Sequence, residues 1–372
     1  MEQLKTLALF YGNNPPSLAT VGASIGTTTK GWQITQMYQS LEAKRMAQLK
    51  ISQQQHEVKI PRIIWLYWET LAGRTKPPYL DACLQSILRW NSPSSSHYPV
   101  VVRVVCPQNI HEFLTPDELH PAWQRIGKVE QKADYLRVLL LARHGGVWMD
   151  MDTICFGSIV PFLERLGREH RDLVLWQRDW SFEVNNALIF VTPQHPVMVD
   201  ALTRMHTRFD AAPHVHFENW TELGSMLYGD CVHAYLAQQH ELSDSGHPPS
   251  SYIELRNMAE IEPFTWIDAH EWTMSRQHPS ATTDAWLTRH IRSKEAHSDT
   301  LVPVLSFPNA LISTDYKKQF ATVEQLLAAP PHYLSLALRC ALCSPRERNA
   351  AQQPNKENSS FAAWHKKQQR HS

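Results

Sequence analysis

Along the chain, short apolar runs alternate with segments of helical period. IPRIIWLYWET, from Ile60, is a β-branched and aromatic run of strand length, and a GRTKPP loop follows it. YLDACLQSILRWN then sets Leu80, Cys83, Leu84, Ile87 and Leu88 at helical spacing, and Asn91 with Pro93 stops the helix. After a Ser/Pro turn, YPVVVRVVCP from Tyr98 reads as a second continuous apolar strand. Strand, helix and strand in that order predict a parallel βαβ unit whose strands are buried on both faces.

The pattern recurs downstream. KVEQKADYLRVLLLARHGG carries Leu136, Leu139 and Leu140 on one face, with Arg143 and His144 at the negative end of the helix dipole and Gly145-Gly146 as a stop. A strand, VWMD, comes next, and DLVLWQ and NNALIFVTP are two further strands. MVDALTRMHTRF and LGSMLYGDCVHAYLAQQ read as helices, and SYIELRN, AEIEPFTWI and TLVPVLSF as short strands or loops. Residues 1–55 read as a loose extension ending in a polar helix marked by Met37, Leu41, Met46 and Leu49. Residues 56–343 read as one α/β domain, and residues 344–372 as a polar, basic, disordered tail.

Composition narrows the function classes. The 372 residues are 43% hydrophobic, enough for a substantial core. Lys+Arg and Asp+Glu stand at 36 each, so the net charge points to no nucleic-acid partner, and any polyanion must be met locally. No apolar run reaches the roughly 18 residues of a membrane span, and the first residues lack a secretory signal, so the expected compartment is cytoplasmic. Six cysteines, Cys83, Cys106, Cys155, Cys231, Cys340 and Cys343, are too sparse for a disulfide scaffold, and the CxxC of Cys340 and Cys343 reads first as helix packing.

GGVWMDMDT places Asp150 and Asp152 one residue apart at the end of an apolar run. Three uses are open: a divalent cation holding a diphosphate, a nucleophile with its acid partner, or two solvated loop residues. The pair alone decides nothing, since so short a motif recurs by chance. Its place is informative, because open α/β sheets bind ligands outside the carboxyl ends of their strands. On a strand, residues two apart share a side, about 6–7 Å apart at Cα, and hard carboxylate oxygens suit Mg2+ or Mn2+ with phosphate and water. Upstream, Asp134 and Arg137 stand at i,i+3, as an exposed helical ion pair or as part of the same site.

Taken in register, IPRIIWLYWE, KADYLRVLLLARHGGVWMDMDT and NNALIFVTPQHP resemble the DxD-containing sugar transferases, in particular capsular polysaccharide synthesis proteins and related mannosyl- and galactosyltransferases. The resemblance covers roughly residues 58–205. It implies a glycosyltransferase A-type fold and a nucleotide-sugar donor, with Asp150 and Asp152 binding Mn2+ or Mg2+ and the diphosphate. Asp134 and Arg137 would hold the ribose or donor sugar, with Gly146 in the same motif. Trp65 and Tyr67 would receive the base, unless they pack in the core. Asn185 or Asn186 would face the transferred sugar. A retaining reaction, and an acceptor that is a glycan or glycolipid, are implied as well. The family's late third ligand has no unique match; His278, His290, His297 and Asn309 are the residues considered.

The rival reading is a haloacid dehalogenase-type phosphatase with Asp150 as nucleophile and Asp152 as acid, since DMDT also fits a DxDxT signature. Against it, a βαβ unit precedes the motif and a second acidic pair is missing. The apolar FATVEQLLAAPPHYLSLALRCALC, followed by the basic tail, fits a helix docked on the domain or peripheral contact with a membrane carrying lipid-linked acceptors.

Overall fold

The computed structural model describes residues 18–49, 60–73, 75–92, 100–177, 183–211, 222–245, 252–262, 290–307, 319–329 and 333–343. They fall into two compact units. The first comprises Met1–Glu69, Val102–Asp150 and Leu163–Ile267, and the second Thr70–Val101, Met151–Phe162 and Asp268–Ser372. The expected tail lies outside the described residues.

The first unit is a mixed six-stranded sheet with helices packed on it, the α/β class that the alternating pattern predicts. Its strands are β1 (Ile63–Tyr67), β2 (Val101–Val105), β3 (Gly146–Met149), β5 (Leu173–Gln177), β6 (Val184–Val191) and β7 (Ile253–Asn257), in the order β2-β1-β3-β6-β5-β7. β1 pairs with β3 in parallel, and so does β5 with β7, whereas β6 runs antiparallel to both β3 and β5. One reversed strand thus lies in the middle of the sheet. β3 and β5 are buried at every residue, as their unbroken apolar runs require. β2 departs from that expectation: as an edge strand it alternates exposed and half-buried residues, so VVRVV is apolar without being enclosed.

Helix α3 (Val129–His144) is more deeply set than a one-faced helix. Tyr135, Leu136 and the run from Val138 to Ala142 are buried, and so are Asp134 and Arg137, because YLRVLLLA spreads apolar residues around the whole cylinder. Two glycines then turn helix directly into strand. Gly145 has φ 62°, and a Cβ there would lie 2.5 Å from the Pro193 nitrogen; Gly146 has φ 101°, and its Cβ would lie 2.7 Å from the Ile63 oxygen. Both positions therefore demand glycine for backbone reasons.

The N-terminal extension is not loose over its described length: α1 runs from Leu18 to Leu49 and packs its buried Ile34 and Leu41 against the core and α6 (Ser225–Asp244). Its Ser, Thr and Gly residues lower helix propensity and hide the start from a pattern reading. Glu42 secures it. Its carboxylate accepts from Arg171 at 2.6 and 2.8 Å and from Arg45 at 2.7 and 3.0 Å.

In the second unit, α2 (Pro78–Asn91) packs on β4 (Thr153–Cys155) and on α8 (Tyr333–Leu342). β4 pairs antiparallel with β8 (Val304–Ser306), which lies within the TLVPVLSF run read from sequence as a short strand or loop. Ser86 Oγ accepts from the Cys155 amide and Asn91 Oδ1 from the Ile159 amide, which fixes the helix to the chain after the DMD turn. The α8 residues Leu334, Ala337, Leu338 and Leu342 are buried, and the helix packs against α2 and α7 (Val323–Ala328), as a docked helix does. Among the described residues no helix is long and apolar enough to cross a membrane.

Burial would raise the pKa of Glu42, but its hydrogen bonds to Arg45 and Arg171 outweigh this and lower it to about 2 from 4.5. A depressed folded pKa contributes stability that is present above the unfolded value and is lost as pH falls through the folded one. Glu42→Gln is expected to destabilise the chain by about 3 kcal/mol at neutral pH. The gap to wild type in denaturant unfolding should narrow as pH falls from 4.5 toward 2.

Candidate functional site

The site is built at the carboxyl end of β3. Arg137, on α3, reaches forward to Asp150: its Nη2 donates to Asp150 Oδ1 at 2.8 Å. Trp148, the last residue but one of β3, donates Nε1 to the same oxygen at 2.8 Å. The Trp148 ring also lies under the guanidinium, 5.0 Å from ring centroid to Cζ. Arg137 Nη1 lies 3.1 Å from Asp134 Oδ1, so one guanidinium ties two carboxylates together. The side chains of Arg137 and Asp134 are 4% and 8% exposed, against 32% for Asp150. The i,i+3 pair is therefore a buried one, not a solvated helical pair.

Antiparallel β6 brings its first residues beside the end of β3: the Asp150 amide donates to the Ala187 oxygen at 2.9 Å. Asn186 Nδ2 donates to Asp134 Oδ1 at 2.8 Å, and the neighbouring Asn185 turns the other way, with Nδ2 donating to Glu262 at 2.8 Å. The geometry thus separates the two asparagines, which the sequence left equivalent. Gly224, which caps α6, closes against them; a Cβ there would come within 2.7 Å of Asn186 Nδ2 and 3.3 Å of Asp134 Oδ2.

The structure brings Asp134, Arg137, Asp150 and Asn186 together. The remaining residues named from sequence stand elsewhere. Trp65 is buried, donates Nε1 to the Gly145 oxygen and meets Phe113 edge-on, and Gly146 sits beside it at the amino end of β3. Tyr67 is buried too, and its hydroxyl donates to Glu69, which Lys132 holds at 2.9 and 3.0 Å. Asp152 is not on a strand: β3 ends at Met149, so residues 150–152 form a turn and strand alternation does not govern the pair. Asp152 belongs to the second unit, where its charge acts on the buried Tyr79 and Cys83. His297 is exposed, its ring nitrogen facing the Ser293 oxygen; His278 and Asn309 lie outside the described residues. Among the described residues no three or more His, Cys, Asp and Glu side chains gather as a metal cage.

Trp148 and Gly224 are the site residues that the sequence reading missed. Trp148 lies two residues before Asp150 in the same motif; nothing local marks Gly224, since α6 reaches α3 only through the fold.

Burial pushes the Asp134 carboxyl up to about 7; Arg137 opposes this, Asp150 and Glu130 reinforce it, and the Asn186 hydrogen bond opposes it. The folded carboxyl keeps its proton to about pH 7, the unfolded one only to 3.8, so Asp134 favours the folded state below 3.8 and that contribution is lost as pH rises through 7. In Asp134→Asn a neutral amide stands in at every pH. Denaturant midpoints measured from about pH 4 to about pH 8 should fall less in that variant than in wild type.

Residues 32–178 match the family model described as capsular polysaccharide synthesis protein. The putative glycosyltransferase HOC1 of Saccharomyces cerevisiae is 24% identical over 202 residues, which are 48% of this chain and 50% of that protein. The chain therefore spans about half the length of this curated relative. A solved structure, PaToxG glycosyltransferase, is similar at 12% identity and a TM-score of 0.36, over 60% of this chain and 90% of that one. The resemblance read from the motifs is thus met by a family model for capsular polysaccharide synthesis proteins and by a curated relative named as a glycosyltransferase.

Proposed function

We propose, from the likeness of residues 32–178 to capsular polysaccharide synthesis proteins, that the chain is a glycosyltransferase of the A-type fold. It moves a sugar from a nucleotide-sugar donor to a glycan or lipid-linked acceptor, with retention of configuration, in the synthesis of a capsular or surface polysaccharide. The observation that carries the reading is the buried Asp134–Arg137 pair holding Asp150 at the carboxyl end of β3.

Each residue has a job in that reading. Arg137 and Trp148 occupy Asp150 Oδ1, which fixes the carboxylate's direction, while its other oxygen takes no hydrogen bond from the described residues. Asp134 and Asn186 present an acceptor and an amide to ribose or sugar hydroxyls. Asn185, tied to Glu262, acts on the strand rather than on the sugar. Nothing in the comparisons favours the phosphatase, and an Asp150 nucleophile would have one oxygen engaged by two donors.

By the resemblance, Asp150 and Asp152 would hold Mn2+ or Mg2+, since hard carboxylate oxygens completed by phosphate and water suit such a cation. When bound, it would stabilise the negative charge that grows on the leaving nucleoside diphosphate. The protein's own part is to keep the Asp150 carboxylate pre-oriented, so that little reorganisation is needed as the glycosyl–phosphate bond breaks.

A screen of nucleotide sugars for hydrolysis, with and without Mn2+, tests the reading. Release of nucleoside diphosphate is expected to require the metal and to fall about 100-fold or more in both Asp150→Ala and Asp152→Ala. Release that survived both substitutions, or that ignored the metal, would overturn it.

A further inference from the structure

Tyr228 lies on the first turn of α6, and none of the roles above uses it. It is fully buried, and among the described residues its hydroxyl has no hydrogen-bond partner. An unpartnered buried hydroxyl is unfavourable, and phenylalanine would fill the same space without that penalty. Its surroundings give a reason for the oxygen. Helical side chains lean toward the helix N-terminus, so Tyr228, whose amide donates to the Gly224 oxygen at 3.2 Å, leans over the turn that packs on Asn186 and Asp134. The groups acting on its hydroxyl include Arg137, Asp134, Cys231 and Asp150, so the phenol stands in the field of the site's guanidinium and both of its first-unit carboxylates. Burial keeps it protonated, and the hydroxyl can turn its hydrogen toward a carboxylate or its lone pairs toward the guanidinium.

We propose that Tyr228 is a positioning residue of the donor site: its buried hydroxyl, without a partner among the described residues, becomes a hydrogen-bond partner of the Asp134–Arg137 pair when the nucleotide sugar binds. The inference rests on the donor-site reading given above. As donor hydroxyls engage Asp134 and Asn186, the pair's hydrogen bonds are redistributed, and Tyr228 supplies a partner that the free protein leaves unused. The residue trades folding stability for donor binding, so its removal separates the two quantities.

Tyr228→Phe tests this in the full-length chain, read by denaturant unfolding and by steady-state nucleotide-sugar hydrolysis with Mn2+. The expected result is an unfolding midpoint equal to or above that of wild type, with KM for the donor raised about tenfold and kcat within about twofold. Asp134→Asn combined with Tyr228→Phe should raise KM by less than the product of the single effects, since the two act as a unit. Unchanged kinetics in an active background overturn the inference and leave the donor reading standing. A lowered unfolding midpoint, or a loss confined to kcat, overturns it too, because the hydroxyl would then serve folding or the chemical step. A wild-type chain that hydrolyses no nucleotide sugar overturns the donor reading and this inference with it.

Discussion

A guanidinium removed from water organises the first unit. Arg137 is 3% exposed, and an ion buried that deeply is tolerated only where opposite charge and hydrogen bonds replace its hydration. Asp150 provides the charge, Asp134 a carboxyl oxygen 3.1 Å away, and Trp148 a π face. The rest of the arrangement serves to bring these groups to one place. The apolar wrapping of α3 buries the arginine's base, and the two glycines reverse the chain at once. β3 is then four residues long, enough to return Asp150 to the level of Arg137.

The carboxylates on either side of that guanidinium have unlike surroundings. Asp134 sits in the interior, where burial favours its neutral form. Asp150 is one-third open to solvent and fixed by two donors on a single oxygen. One side chain therefore has two unequal partners, and unlike environments for paired carboxyl groups are the usual means by which a site gives them separate tasks.

Much of the frame was legible in sequence, for reasons that differ by element. Strands β1, β3, β5 and β6 were readable because central strands carry unbroken apolar runs, and α3 because its period, its basic end and its glycine stop agree. The cluster of Asp134, Arg137 and Asp150 was readable because all three lie within one helix–turn–strand segment. Where contacts depend on distant chain, the signal failed. Apolarity does not distinguish an edge strand from a central one, so β2 was misjudged. Trp65 and Tyr67 carry an aromatic pattern that core packing and a binding face share, and only their hydrogen bonds to Gly145 and Glu69 show how they are used. The strand alternation invoked for Asp150 and Asp152 ended one residue early. Gly224 and Tyr228 arrive with a helix that starts about eighty residues after α3 ends, beyond the reach of any local pattern.

The reversed strand has a consequence for how the sheet can vary. Consecutive residues of β6 face opposite sides, so the Asn185-Asn186 doublet supplies one amide to the Asp134 side and one to Glu262. A slip of one position would exchange an asparagine for an asparagine at one of these places and an apolar residue for an amide at the other. Since β6 is flanked on both edges by hydrogen-bonded neighbours, such a slip would have to break two ladders together. The middle position of β6 thus acts as a lock on reading frame, and insertions are better accommodated beyond its ends than within it.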